Sequence, residues 1–115
     1  MKKELRIKDS REIEHVMKKG FSKANPFFIV YQYKNADYDH FRLAISVGKK
    51  IGIAVTRNQV KRRIRAVCTI HKEQINPMND YFIIARKGAA ELDFQTFQEK
   101  LEQLFIKMKI IPKIK

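Results

Sequence analysis

Two spacings of apolar residues divide the chain. Where they recur every three to four positions the pattern predicts helices, and where they recur every second position it predicts strands. Asp9 followed by Glu12 has the form of a capping box. Ile13, Val16 and Met17 then share one helical face, and Gly20 closes a helix over 10–19. Pro26 opens a strand over 27–33 in which Phe27, Ile29, Tyr31 and Tyr33 lie on one side. A turn at Asn35-Ala36-Asp37 leads to a second strand over 41–47 that points Phe41, Leu43, Ile45 and Val47 inward, and the two are expected to pair as an antiparallel hairpin. Gly48 and Gly52 flank a loop carrying Lys49 and Lys50. Thr56 or a neighbour is expected to cap a long helix over 57–75. After the break at Asn76-Pro77-Met78-Asn79 comes a short buried strand over 80–86, then a turn over 87–90. Asp93 caps the last helix, on which Phe97, Leu101, Leu104, Phe105 and Met108 repeat; Pro112 is expected to stop it, with the tail beyond fraying.

The order helix, two strands, helix, strand, helix describes an α+β sandwich with a small sheet and three amphipathic helices. At 115 residues the chain suits one domain over 1–115, and 44% hydrophobic residues set it apart from disordered chains.

Charge changes the picture more than composition does. There are 25 Lys+Arg against 12 Asp+Glu, a formal +13, which gives a field that attracts polyanions. Residues 1–20 hold seven basic and four acidic side chains, as do residues 86–115, whereas residues 40–72 hold nine basic and no acidic ones. A polyanion is expected to dock on that middle segment. At about 100° per residue from Arg57, a helix there places Lys61, Lys72, Arg65, Asn58 and Arg62 on an arc of roughly 140°. Val60, Ile64, Val67, Cys68, His71 and Ile75 occupy the complementary stripe. Like charges on one arc repel, so stability alone does not select them. Arg57, Arg62, Arg63 and Arg65 also bring planar forks suited to phosphate oxygens. The plainer explanation is a solvated basic face, but such a face normally interleaves Glu.

A lone Cys68 fits a reducing compartment and leaves no intramolecular disulfide. The N-terminus lacks the apolar stretch of a secretory signal, and no apolar run approaches a membrane span. A cytoplasmic location is expected. His15, His40 and His71 are dispersed and do not have zinc spacing. His71 and Cys68 read as core residues, and Asp37 and Asp39 as turn residues rather than a metal pair.

The run Lys50-Ile51-Gly52-Ile53-Ala54-Val55-Thr56-Arg57-Asn58-Gln59-Val60-Lys61-Arg62-Arg63-Ile64-Arg65 resembles the signature helix of bacterial ribonuclease P proteins. The family pattern Lys-x-Gly-x-Ala-Val-x-Arg-Asn-x-x-Lys-Arg-x-x-Arg is filled at every fixed position. The likeness continues through Leu5-Arg6, the Gly20-to-Asn25 connection, the aromatic first strand, and Ile83-Ile84-Ala85-Arg86-Lys87.

The resemblance implies a two-layer α/β sandwich with a mostly antiparallel sheet of about four strands, similar to a small-subunit ribosomal protein domain. It also implies a left-handed βαβ crossover, against the usual hand. The family's protein is the accessory subunit of a catalytic RNA that removes the 5′ leader of precursor tRNA with Mg²⁺ held mainly by the RNA and substrate. The implied RNA-binding residues are Lys49, Lys50, Arg57, Asn58, Lys61, Arg62, Arg65, Arg86 and Lys87. The implied leader cleft is lined by Ile13, Met17, Ile29 and Tyr31, with no catalytic or metal-ligating residue on the protein. Relatives often carry aromatics at the two helix positions, so Ile13 and Met17 shift stacking toward Tyr31 and the other strand aromatics. Four other classes fit the sequence less well. A ribosomal-type RNA-binding module differs only in lacking the signature helix. A protein-only nuclease would need an acid cluster or His pair. A DNA-binding helix-turn-helix would need a short helix just before the basic one. A membrane-surface protein would need an interfacial helix.

Overall fold

The computed structural model describes residues 5–113; residues 1–4 and 114–115, including the tail expected to fray, lie outside them. The elements are α1 (Ser10–Lys19), β1 (Phe21–Ala24), β2 (Phe28–Lys34), β3 (Arg42–Val47), α2 (Ala54–Ile70), β4 (Asn79–Ala85) and α3 (Phe94–Lys107). Short 3-10 turns occupy Lys49–Ile51 and Lys87–Glu91. Three helices and a four-stranded mixed sheet make an α+β fold.

The strand order is β1-β2-β4-β3, which corrects the expected hairpin. β2 pairs antiparallel with β1 and β4, while β3 pairs with β4 in parallel. Alternation along β2 and β3 identifies the face each residue occupies but not the neighbouring strand, and the largely buried β4 lies between them. β1 was absent from the expected elements because all four of its residues are exposed, so no alternation marks it.

The sheet's two faces follow from the register. Phe28 and Val30 of β2, Tyr81, Ile83 and Ala85 of β4, and Leu43 and Val47 of β3 form the main core with α2 and α3. From the helices come Val60, Ile64 and Val67, and Phe97, Leu101 and Leu104. The Phe28 and Phe97 rings meet edge to face at 5.0 Å. On the opposite face α1 gives partial cover, where Val16 joins Ile7, Ala44 and Phe82 in a smaller cluster. The odd residues of β2 therefore face α1, and the main core is filled from the even positions.

Gly20 positions α1 against the sheet, because a Cβ there would collide with the carbonyl oxygens of Val16 and Gln32. Asp9 caps α1 by accepting from the Arg11 amide at 2.8 Å. Glu12 does not complete the capping box; its carboxylate accepts from Arg42 instead.

α2 begins earlier and ends earlier than the periodicity predicted. It starts after Ile53, which offers no side-chain cap, and stops at His71, beyond which a turn carries the apolar stripe on to buried Ile75. Asp93 caps α3 through the Thr96 amide at 2.8 Å. That helix ends at Lys107 rather than at Pro112. Lys109 takes the left-handed conformation (φ 58°), and Ile110 and Ile111 fold back into the core.

Candidate nucleic-acid interface

Among the expected RNA-binding residues, Asn58 and Arg62 are exposed on α2, and Arg57, Lys61 and Arg65 are half-buried along the same ridge. Lys49 and Lys50 stand exposed on the turn before the helix. Gly52, at φ 155°, closes that turn in a conformation other residues rarely adopt. Arg86 and Lys87 are exposed at the end of β4, in the second turn, which packs against the first. Arg86 also donates to the Asn25 carbonyl at 3.2 Å.

Arg63 leaves the phosphate-facing set. Its guanidinium donates to the Leu92 carbonyl at 2.8 Å and lies 5.8 Å from the Phe97 ring centre, tying α2 to α3. Arg42, counted among the nine cations of the acid-free segment, is likewise used internally. It holds Asp80 with two hydrogen bonds and reaches Glu12 and Tyr38 with its remaining nitrogen. Neighbouring carboxylates raise its pKa still further, with Asp80 the larger cause.

The cations left on α2 have a different environment. Arg62 and Arg65 line an open groove of about 670 Å³ with Arg6, Thr69, exposed Ile70 and Phe94. Burial, and then the nearby positive Arg6, lower the pKa of Arg65. The buried Nε atoms of Arg57 and Arg65 have no acceptor among the described residues. This is a surface arranged to receive negative charge.

The expected cleft lies between α1 and the sheet. Tyr31 is half-buried and stacks on Phe82 with ring centres 6.0 Å apart and planes 27° apart. Ile13 packs with Tyr31 and Tyr33 onto the Val16–Phe82 cluster. Met17 is 40% exposed at the far end of α1, and Ile29 is half-buried two residues along β2 from Tyr31. Neither belongs to that cluster, so they form the open part of the surface. Sequence reasoning missed Ile84, which pairs with Ile29 and packs half-exposed on the same face. Only the β2–β4 register reveals it.

The other candidate groups are spent internally. His71 is buried, with its ring nitrogens bonded to Gln74 and Glu102. Burial pushes the Cys68 thiol up to about 12. The turn at Asp37 is held by its amide donating to the Asn35 side chain. Among the described residues, no three His, Cys, Asp or Glu side chains gather where they could hold a metal ion.

Fold and site together define a small basic α+β protein that presents one acid-free helix ridge and one open, aromatic sheet face. The chain belongs to the Ribonuclease P family, whose profile it matches over residues 1–109. It is 47% identical over 116 residues to the Ribonuclease P protein component of Halalkalibacterium halodurans, covering 100% of this chain and 98% of that one. It is 45% identical to the counterpart from Exiguobacterium sibiricum, covering 91% and 90%. The Staphylococcus aureus RNase P protein structure superposes with a TM-score of 0.89 at 41% identity, over 94% of this chain and 98% of that one. The Thermotoga maritima RNase P protein does so at 0.79 and 35%, over 89% and 96%. Membership implies a ribonuclease role in tRNA 5′ processing and an RNA partner. No helix among the described residues is long and apolar enough to cross a membrane.

Proposed function

We propose that this chain is the accessory protein of a cytoplasmic ribonucleoprotein. In it the α2 ridge binds the catalytic RNA, and the face between α1 and the sheet holds the single-stranded 5′ leader of precursor tRNA. The observation that carries this reading is the pairing of two surfaces of different chemistry. Arg57, Asn58, Lys61, Arg62 and Arg65 form a ridge suited to phosphates. Tyr31, Ile29, Ile84 and Met17 form an apolar platform suited to unpaired bases, which stack on aromatic side chains with little sequence preference.

The protein positions and neutralises; the RNA performs the cleavage. Mg²⁺ needs several oxygen ligands, and the described acids are not gathered to supply them. In this reading the ion is held by phosphates of the RNA and substrate, and no step passes through a protein-bound metal. Lys49, Lys50, Arg86 and Lys87 extend the positive surface around the start of α2.

The test is cleavage of precursor tRNA by purified protein, by catalytic RNA, and by both together across a Mg²⁺ series. Cleavage is expected only where the RNA is present, with the protein raising its efficiency. Cleavage by protein alone, lost on replacing a specific acid or His, overturns the accessory reading.

A further inference from the structure

The geometry points to Glu12 as a positioning residue for the leader. Its carboxylate, gripped by Arg42, sets how far the first half of α1 stands from the sheet, and so the width of the face on which unpaired bases stack. This rests on the reading of that face as the leader site. Glu12 acts through its neighbour Ile13 rather than by touching RNA.

Helix α1 has little core of its own. Val16 is its one buried side chain, so packing fixes the middle of the helix and leaves the two halves to other ties. The second half ends at Gly20, whose missing Cβ admits the Gln32 carbonyl of β2. The segment before the helix is held by its main chain. Arg6 bridges Leu43 in parallel, and the Ile7 amide donates to the Leu43 carbonyl at 3.0 Å. Between these anchors the first half of α1 stands over an open cavity of about 450 Å³. Asp9, Glu12 and His15 line it from the helix side, and Tyr33, Asn35 and Asp80 from the sheet side.

Two side chains of α1 reach across this gap. The exposed His15 ring meets the Tyr33 ring edge to face at 4.8 Å, and the Glu12 carboxylate accepts from Arg42 at 3.1 Å. The second tie is the stiffer one, because its donor is fixed to the sheet. The Arg42 guanidinium makes two bonds to Asp80, which Asn35 holds in turn at 2.9 Å. The Tyr38 ring covers the same guanidinium at 4.1 Å. A hydrogen bond between ionised groups is short and strong. Ile13, the residue after Glu12, packs on the Val16–Phe82 cluster, as Tyr31 does. Glu12 thereby transmits the position of β3 and β4 to the helix residue that borders the stacking face.

The sign of the effect separates positioning from plain electrostatics. A carboxylate near RNA repels phosphates, so removing its charge alone tightens the binding of any RNA. A loosened α1 instead weakens the binding of the leader and spares the rest.

Glu12→Ala and Glu12→Gln decide between the two. Both remove the charge, but Gln keeps an acceptor oxygen at the same reach for Arg42. In the holoenzyme, Glu12→Ala is expected to weaken leader-bearing tRNA roughly 3- to 10-fold, a fraction of what base stacking contributes. It should raise KM more than it lowers kcat and leave the binding of mature tRNA and of the catalytic RNA as they were. Glu12→Gln should restore most of the affinity. In a Tyr31→Ala background, Glu12→Ala should add almost nothing, because the two act through one surface. Urea midpoints should stay near the parent's, since Arg42 keeps Asp80 and Tyr38.

Tighter binding, or an equal change by both variants on leader-bearing and mature tRNA alike, overturns the proposal in favour of charge. Full additivity with Tyr31→Ala overturns it too, by making Glu12 a separate contact. A large fall in both urea midpoints, with Gln no better than Ala, reduces Glu12 to a structural tie. If Tyr31→Ala is leader-specific and Glu12→Ala changes nothing, the leader face stands and the positioning role falls. If Tyr31→Ala has no leader-specific effect, the leader face falls and takes Glu12 with it.

Discussion

Arg42 and Asp80 sit opposite each other at the start of the parallel β3–β4 pair, and the guanidinium grips the carboxylate with bonds of 3.0 and 2.8 Å. Their side chains are only 8% and 4% exposed. Removing one partner of so buried a pair strands the other charge. Asp80→Ala is therefore expected to cost roughly 3–5 kcal/mol in urea denaturation, and Arg42→Met with Asp80→Leu should recover most of it. Glu12→Gln should cost far less, because that carboxylate is 43% exposed. A loss near zero for Asp80→Ala would show that β3 and β4 are held by packing alone.

Tyr31→Ala removes the exposed half of the Tyr31–Phe82 stack. Base stacking on an aromatic side chain contributes about 1–3 kcal/mol, so leader-bearing tRNA should bind the holoenzyme roughly 5- to 100-fold more weakly. Mature tRNA should be almost unaffected. Equal weakening of both would mean that this face is general RNA surface or core.

Arg62 and Arg63 are adjacent in sequence and should behave oppositely. Arg62→Ala is expected to weaken RNA binding and flatten its salt dependence, because Arg62 is exposed and in the proposed reading meets phosphates. Arg63→Ala should instead lower the Tm and leave the salt slope unchanged, since it loses the bond to Leu92 and the contact with Phe97.

Alkaline pH should destabilise the fold through Cys68 and Tyr81. Burial raises the thiol from 9.0 to about 12 and the phenol from 10.0 to about 12. Between about pH 9 and 12 the unfolded chain loses these protons while the folded chain keeps them, so stability falls as pH rises and is fully present below pH 9. Denaturation midpoints across that range will measure the slope. Cys68→Ala and Tyr81→Phe should each reduce it. An unchanged slope in the double variant would place its origin elsewhere.

The helices and the basic ridge were legible in the sequence because both are periodic. α1 matches its expected bounds, and Lys61, Arg62 and Arg65 stand on the side of α2 opposite Val60, Ile64 and Val67. The sheet was legible only strand by strand. Pairing joins residues such as Phe28 and Ala85, and nothing local to either one names the other. Arg42 sat in a clean alternation that pointed it to solvent, whereas β4 supplied Asp80 and α1 supplied Glu12 to enclose it. Arg6 was legible only as part of the family likeness: acids stand near it in sequence, and the bridge to Leu43 is what carries it beside α2.

The intervening position of β4 has a consequence for how the chain assembles during synthesis. β2 and β3 are made early, yet neither bonds to the other, and each waits for the same later strand. Only β1 and β2 can zip together locally. Closing the rest means bringing Arg42 to Asp80 and Phe28 to Ala85 across the whole of α2, and contacts so distant in sequence slow folding. Until residue 85 has left the ribosome, the nascent protein presents two unsatisfied strand edges and a basic helix whose core partners in β4 and α3 are still to come.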